Sequence, residues 1–554
     1  MKTMKKNLGI WTALIALTMS SLHAALLTET FDTLTSGSSL FGQNGWVKVS
    51  TAGTAAVIQN TSSWSPVNRL SLFGGVAVRK TFTETSLTSN MKFDFYFKKG
   101  DPIVGHNLQV SLLNSAGKAF YLNLRGTGTS IDIGLTDKSG GTTTYTYSAP
   151  LERMTWYRFG AIMDSANKQL YFAITPAQGG KNAILTGSLA LTATALSGLE
   201  LSGSASTASG DWFVDSLSLA PLKETVLSKK GIVYLCQEFN TESISEDVVA
   251  NSAKVDVLAP TWFTVSDSSE LMTVDIDYSN YKQFCRNNQI ALVPNVKQIH
   301  ASNMLLNTTL LTQVAQEIVN VVQSNNFDGI TIDLEDDGTN SAALTSGMQQ
   351  FLSIIKSNFD ASNKILCVTF NPAYWGKSWR TATLSSYCDL AFGMFYDYSG
   401  PWKPSYANSS APYIASTARR DVKRDLDKVI AGFPAKNQLI FALPVYSNDC
   451  SYNSLGQSVL IENQYSNYLL KIKKQYNATQ MWDSEAQTPY FIYVDGSGVQ
   501  HKAWYENADS YAWRMQIPQT NGFAGMGVWS VGSPDGIDPD FWPSVQKYRT
   551  LYGY

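Results

Sequence analysis

Residues 327–340 read FDGITIDLEDDGTN, a run of alternating apolar residues that ends in four acids within the five positions from Asp333 to Asp337. Successive side chains of a strand point to opposite faces. In GITIDLE this sets Ile330, Ile332 and Leu334 on one face and Thr331, Asp333 and Glu335 on the other. In a parallel barrel the first set meets the helix layer and the second faces the interior. Glu335 then stands at the carboxyl end of the strand, where barrel active sites form. Two inward carboxylates ~6–7 Å apart along a strand cannot both ionise freely once desolvated. One takes a raised pKa, and a raised pKa suits a general acid. Asp336, Asp337 and Gly338 read as a solvated turn leaving the strand. A calcium loop is the competing reading, and it fails: the twelfth position counted from Asp333 is Leu344 rather than Glu, and a strand rather than a helix precedes it.

Working outward, seven more apolar runs have strand character: 231–237, 255–263, 290–296, 364–371, 389–398, 439–446 and 525–530. Helical patterns separate them. Leu310, Val314, Ile318 and Val322 recur at helical spacing, and Met348, Phe351, Leu352 and Ile355 share a face within 341–358. Strand–helix alternation repeated eight times predicts an α/β TIM barrel over 229–554, with an insertion at 447–503 between strand seven and its helix. A doubly wound sheet is the alternative.

The preceding region follows another grammar. Residues 25–221 are rich in Thr, Ser and Gly and carry short alternating strands, such as MKFDFYFKK (91–99), WYRFGAIMD (156–164) and WFVDSLSLA (212–220). This predicts an all-β sandwich or jelly roll. Residues 222–228 read as a linker. Residues 1–24 read as a secretory signal peptide, with Lys2, Lys5 and Lys6 ahead of the apolar stretch 8–17 and a small-residue cleavage site at Ala24. The expected location is therefore outside the cell or in the envelope or periplasm, with a retained anchor as the alternative.

Of the 554 residues 16% are charged, and the formal net charge is −2. That balance offers no electrostatic footprint for nucleic acid. The five cysteines contain no C-x-x-C pair, so neither a zinc nor a redox site is expected. No metal or cofactor is called for.

FDGITIDLE resembles the D-G-x-D-x-D-x-E motif of glycoside hydrolase family 18, the chitinase family, through Asp328, Gly329, Asp333 and Glu335. GMFYDYSGPW (393–402), LIFALPVY (439–446) and YENADSYAWRMQIPQTNGFAGMGVWSVGSPDG (505–536) resemble later strand ends of that family in the same order. The stretch 255–265 looks more like its peptidoglycan and spore-cortex members. The resemblance implies a TIM barrel and substrate-assisted hydrolysis beside N-acetylglucosamine. Glu335 would be the acid, Asp333 and Asp397 would orient the acetamido group, and Tyr396 would donate to it. Trp529, Met394 and Tyr446 would line the reacting sugar, and Trp504 and Trp262 are further stacking candidates. Thr331 departs from the pattern by replacing an aspartate, and it is expected to donate a hydrogen bond to Asp333. The stretch 155–174 loosely resembles concanavalin- or laminin-G-like jelly rolls, which leaves carbohydrate binding and a spacer role equally open. The expected partner is an N-acetylglucosamine-containing polysaccharide. A silenced, lectin-like barrel and a cell-surface adhesin are the competing functions.

Overall fold

The computed structural model describes residues 27–29, 31, 40, 43–50, 57–59, 69–72, 76–99, 107–124, 130–136, 142–148, 151–152, 155–177, 183–203, 212–238, 240–266, 268–274, 276–298, 301–335, 340–400 and 419–552. The segment 1–24 and the turn Asp336–Gly338 lie outside the described residues. Among them no helix is long and apolar enough to cross a membrane.

The described residues between Leu27 and Pro221 form two antiparallel sheets, of eight and seven strands. Alternation builds the core between them. Phe93, Phe95 and Phe97 point inward from Met91–Lys99, and Phe159 meets Phe95 and Phe93 at centroid distances of 5.4 and 6.4 Å. The same alternation sends Lys92, Asp94, Arg158, Ile162 and Asp164 to the outer face of one sheet. That face is not solvated: Lys92, Asp94, Ile162 and Asp164 are buried against the second half of the molecule.

The second half is a closed parallel barrel. Its strands are β1 (Ile232–Gln237), β2 (Val257–Val265), β3 (Ala291–Leu292 continuing as Asn295–Gln298), β4 (Gly329–Leu334), β5 (Ile365–Phe370), β6 (Leu390–Met394), β7 (Leu439–Pro444) and β8 (Gly525–Val531). Each pairs in parallel with the next, and β1 pairs with both β2 and β8, which closes the ring. The closed ring removes the doubly wound alternative. Ile330, Ile332 and Leu334 of β4 pack among helix residues such as Val314, Ile318, Phe351 and Ile355. Inside the barrel, Tyr234, Val293, Cys367 and Phe392 stack in the axial core. Gly329 opens β4 because the Ile365 carbonyl passes there: a Cβ would lie 2.1 Å from that oxygen.

Between β7 and the helix Ala508–Asn521 lies a five-stranded antiparallel sheet spanning Tyr446–Trp504, with the helix Ser466–Gln475 against it. Residues 222–228 do not form a slack tether. Leu222–Leu227 is a short helix whose Leu222 and Val226 pack against the amino-terminal end of the barrel beside Ile162. The apolar residues of LKETVL are too few to suggest burial from sequence, but both ends of this segment are anchored in sheets that need covering. All five cysteines are buried and unpaired.

Candidate active site

β4 ends with its two carboxylates on the interior side of the ring. Asp333 is buried and receives a 2.6 Å hydrogen bond from the Thr369 hydroxyl on β5. Burial raises its pKa, while Thr369, the Lys297 ammonium and the Asn295 amide favour the charged form. Lys297 is the cross-strand neighbour of Asp333 on β3. Its ammonium also bonds Glu238 at 2.9 Å and lies 4.8 Å from the centre of the Trp529 ring.

Glu335 follows as the chain leaves β4, its backbone held by Gln298 O at 2.7 Å. Burial, then the charge of Asp333 and more weakly that of Asp397, push the Glu335 carboxyl up to about 7, against the opposing pull of Lys297 and Arg380. A carboxylic acid that keeps its proton near neutrality, beside a second carboxyl group with a hydrogen-bonded alternative, can donate that proton in water at ordinary pH.

The end of β6 brings the third part. Tyr396 is buried, and its phenol is held well above its ordinary pKa by burial and by Asp397, so it stays a donor. Asp397 adopts φ 59°, a left-handed conformation that aspartate tolerates better than bulkier residues. Its Oδ1 accepts a 2.9 Å bond from the Tyr446 hydroxyl, and the Tyr396 and Tyr446 rings meet edge to face at 6.3 Å. Met394 and Trp529, both partly buried, pack against this cluster.

Three sequence expectations are corrected. Thr331 does not bond Asp333. Its hydroxyl is fully buried one layer deeper, 2.6 Å from the Tyr234 hydroxyl and 3.2 Å from the Val293 carbonyl that accepts its proton. Residues two apart on one face lie along the strand axis, so the lateral neighbours on β1 and β3 reach Thr331 first. Trp262 is core: its indole packs against Tyr281, Tyr278 and Phe327 and donates to Thr241 O, because its β2 position points to the helix layer. Trp504 is the buried centre of the inserted sheet, with its nitrogen on Asp483.

Sequence reasoning missed Thr369, Lys297, Glu238 and Arg380. Thr369 and Lys297 stand near the carboxyl ends of their strands, the face the barrel rule singles out. That rule, applied to every strand instead of to β4 alone, would have found both. Glu238 and Arg380 lie on loops and carried no signal of their own.

The family model for glycosyl hydrolases family 18 matches residues 233–533. Among curated relatives, "Putative sporulation-specific glycosylase YdhD" of Bacillus subtilis (strain 168) is 24% identical over 255 residues, 45% of this chain and 56% of that protein. Di-N-acetylchitobiase of Mus musculus is 24% identical over 263 residues, 43% of this chain and 70% of that protein. The chain thus spans little more than half of the first of these. The crystal structure of the Bacillus cereus spore cortex-lytic enzyme SleL aligns at a TM-score of 0.48 with 18% identity, over 59% of this chain and 75% of that one. With the match spanning the whole ring from β1 to β8, the chain belongs to glycosyl hydrolase family 18.

Proposed function

We propose that this chain is an exported glycosidase that cleaves β-1,4 linkages next to N-acetylglucosamine, with retention, in chitin-type or peptidoglycan glycans. The observation that carries the reading is the Glu335 carboxyl near pKa 7 beside buried Asp333. Glu335 protonates the glycosidic oxygen. The 2-acetamido carbonyl of the substrate attacks the anomeric carbon, the substrate-assisted variant of the two-carboxylate scheme. Asp333, held by Thr369, takes the acetamido N–H and offsets the positive charge of the oxazolinium ion. Tyr396 donates to the acetamido oxygen, while Tyr446 fixes Asp397 beside it. Glu335 then takes a proton from the attacking water. Trp529 and Met394 give the sugar an apolar floor. The segment 1–24 directs export, and the N-terminal pair of sheets is a jelly roll that holds the barrel from beneath.

Di-N-acetylchitobiase and the cortex-lytic enzyme, by their names, suggest the two substrate classes to compare. The test incubates the purified chain with chitooligosaccharides and with peptidoglycan side by side and identifies the products by mass spectrometry. New reducing ends at N-acetylglucosamine from either glycan, absent with Glu335→Gln, are expected. No cleavage of either by the wild type sinks the proposal.

A further inference from the structure

A large cavity lies at the other end of the barrel. A space of about 470 Å³ separates the outer face of the sandwich from the amino-terminal ends of β1 and β2 and the last helix, Phe541–Thr550. That volume is in the range of small-molecule sites, about 300–1,000 Å³.

Its charged lining is arranged as two facing triads. On the sandwich side, Asp94 is shared by Arg158 at 2.7 Å and Lys92 at 3.6 Å. On the barrel side, Asp256 is shared by Arg549 at 3.1 Å and Lys229. Among the described lining residues, four cations thus face two carboxylates. Lys92, Asp94, Asp256 and Arg549 are all at least nine-tenths buried, so the charges these groups carry are little screened by bulk water. The rest of the wall offers hydroxyls, from Thr175, Ser216 and Ser218.

We propose that this interdomain cavity binds a small hydroxylated anion, a monosaccharide bearing a carboxylate or a phosphate, whose charge is held by Lys92, Arg158, Lys229 and Arg549 and whose hydroxyls meet those of Thr175, Ser216 and Ser218. Guanidinium and ammonium groups lining one cavity suit both oxyanions. The amines respond as such a site requires. Burial and neighbouring cations lower Lys229 to about 7, and burial lowers Lys92 to about 8. An arriving anion restores their charge. The site is at the opposite end of the strands from Glu335, and the inference stands apart from the proposed hydrolysis.

Calorimetric titration of the full chain at pH 7.5 with glucuronate, glucose 6-phosphate and glucose tests it. At least one anionic sugar is expected to bind ten-fold or more tighter than glucose, and which one binds identifies the oxyanion. The double variant Lys92→Gln, Lys229→Gln is expected to weaken that binding at least ten-fold. Because this variant alters a domain interface, amine acylation of the wild type at pH 8 provides a second readout. The bound sugar is expected to protect Lys229 from modification. No preference over glucose, full binding by the double variant, or no protection of Lys229 overturns the proposal.

Discussion

The Thr331 hydroxyl lies 2.6 Å from that of Tyr234 and donates a hydrogen bond to Val293 O, so it ties β4 to β1 and β3 beneath Asp333 and Glu335. Asp333, two residues on, is served by Thr369 instead. The uncharged residue in the acidic motif therefore belongs to the barrel's core. Thr331→Val keeps the shape and removes the hydroxyl, leaving the Tyr234 phenol one buried partner short. We expect a loss of about 1–3 kcal/mol in stability, measured by urea unfolding, with the pH–rate profile unmoved. A displaced profile would show that Thr331 acts on Asp333 after all.

Thr369 should behave in the opposite way. Its hydrogen bond favours ionised Asp333 against the burial that disfavours it. Thr369→Val removes the donor, so the Asp333 pKa rises further. The acid limb of kcat/KM then moves to higher pH and the active window narrows. Thr369→Ser keeps the hydroxyl and should restore the limb. A Val variant with an unshifted acid limb would refute the role of this bond.

Glu335, the proposed acid, links catalysis to stability with a definite sign. Its carboxyl is at about 7 in the folded chain and near 4.5 when unfolded. Between those values the folded state binds more protons than the unfolded one, so rising pH lowers stability through this window. Glu335→Gln has no charge to bury. It should match the wild type in Tm at pH 4 and exceed it at pH 8, while losing about 10²–10⁴-fold in rate, the usual worth of a general acid. The wild-type alkaline limb should fall near pH 7. Equal Tm values at pH 8 would mean that the raised pKa is not present.

The barrel was legible because its strands are apolar runs of the right length between helical patterns, and because β4 carries its chemistry on alternate residues of one stretch. Five of the eight strands lie within the expected stretches, while β2, β3 and β8 run past theirs by two, two and one residues, and β3 is interrupted at Val293 and Pro294. What was not legible depends on lateral neighbours. The partner of Thr331 is decided by β1 and β3, about a hundred and about forty residues away in sequence. Trp262 and Trp504 near strand ends look like sugar platforms until the helix and sheet that cover them are in place. The docking of the sandwich was hidden for the same reason. Lys92, Asp94, Arg158 and Asp164 alternate with core residues and imitate an ordinary solvated face.

That docking makes Arg286 a buried tie between the halves. Its guanidinium, 1% exposed, bonds Asp328 at 2.5 Å, reaches Asp164 of the sandwich at 3.5 Å and donates to Asn326 O. Asp328 in turn accepts from Asn90 of the sandwich at 3.0 Å and from the Leu292 amide at 2.9 Å. The first aspartate of the family motif thus fastens the lower end of β4 to both β3 and the sandwich. Arg286→Met leaves two buried carboxylates without their cation, a change that costs about 3–5 kcal/mol. Because the lost bonds span both halves, the single unfolding transition expected of the wild type should separate into two, with the sandwich and barrel melting apart in calorimetry. Arg286→Lys, which keeps the charge but not the fork, should fall between. A Met variant that melts as one unit at the wild-type temperature would show that the halves are joined by apolar packing around Ile162 and Leu222 alone.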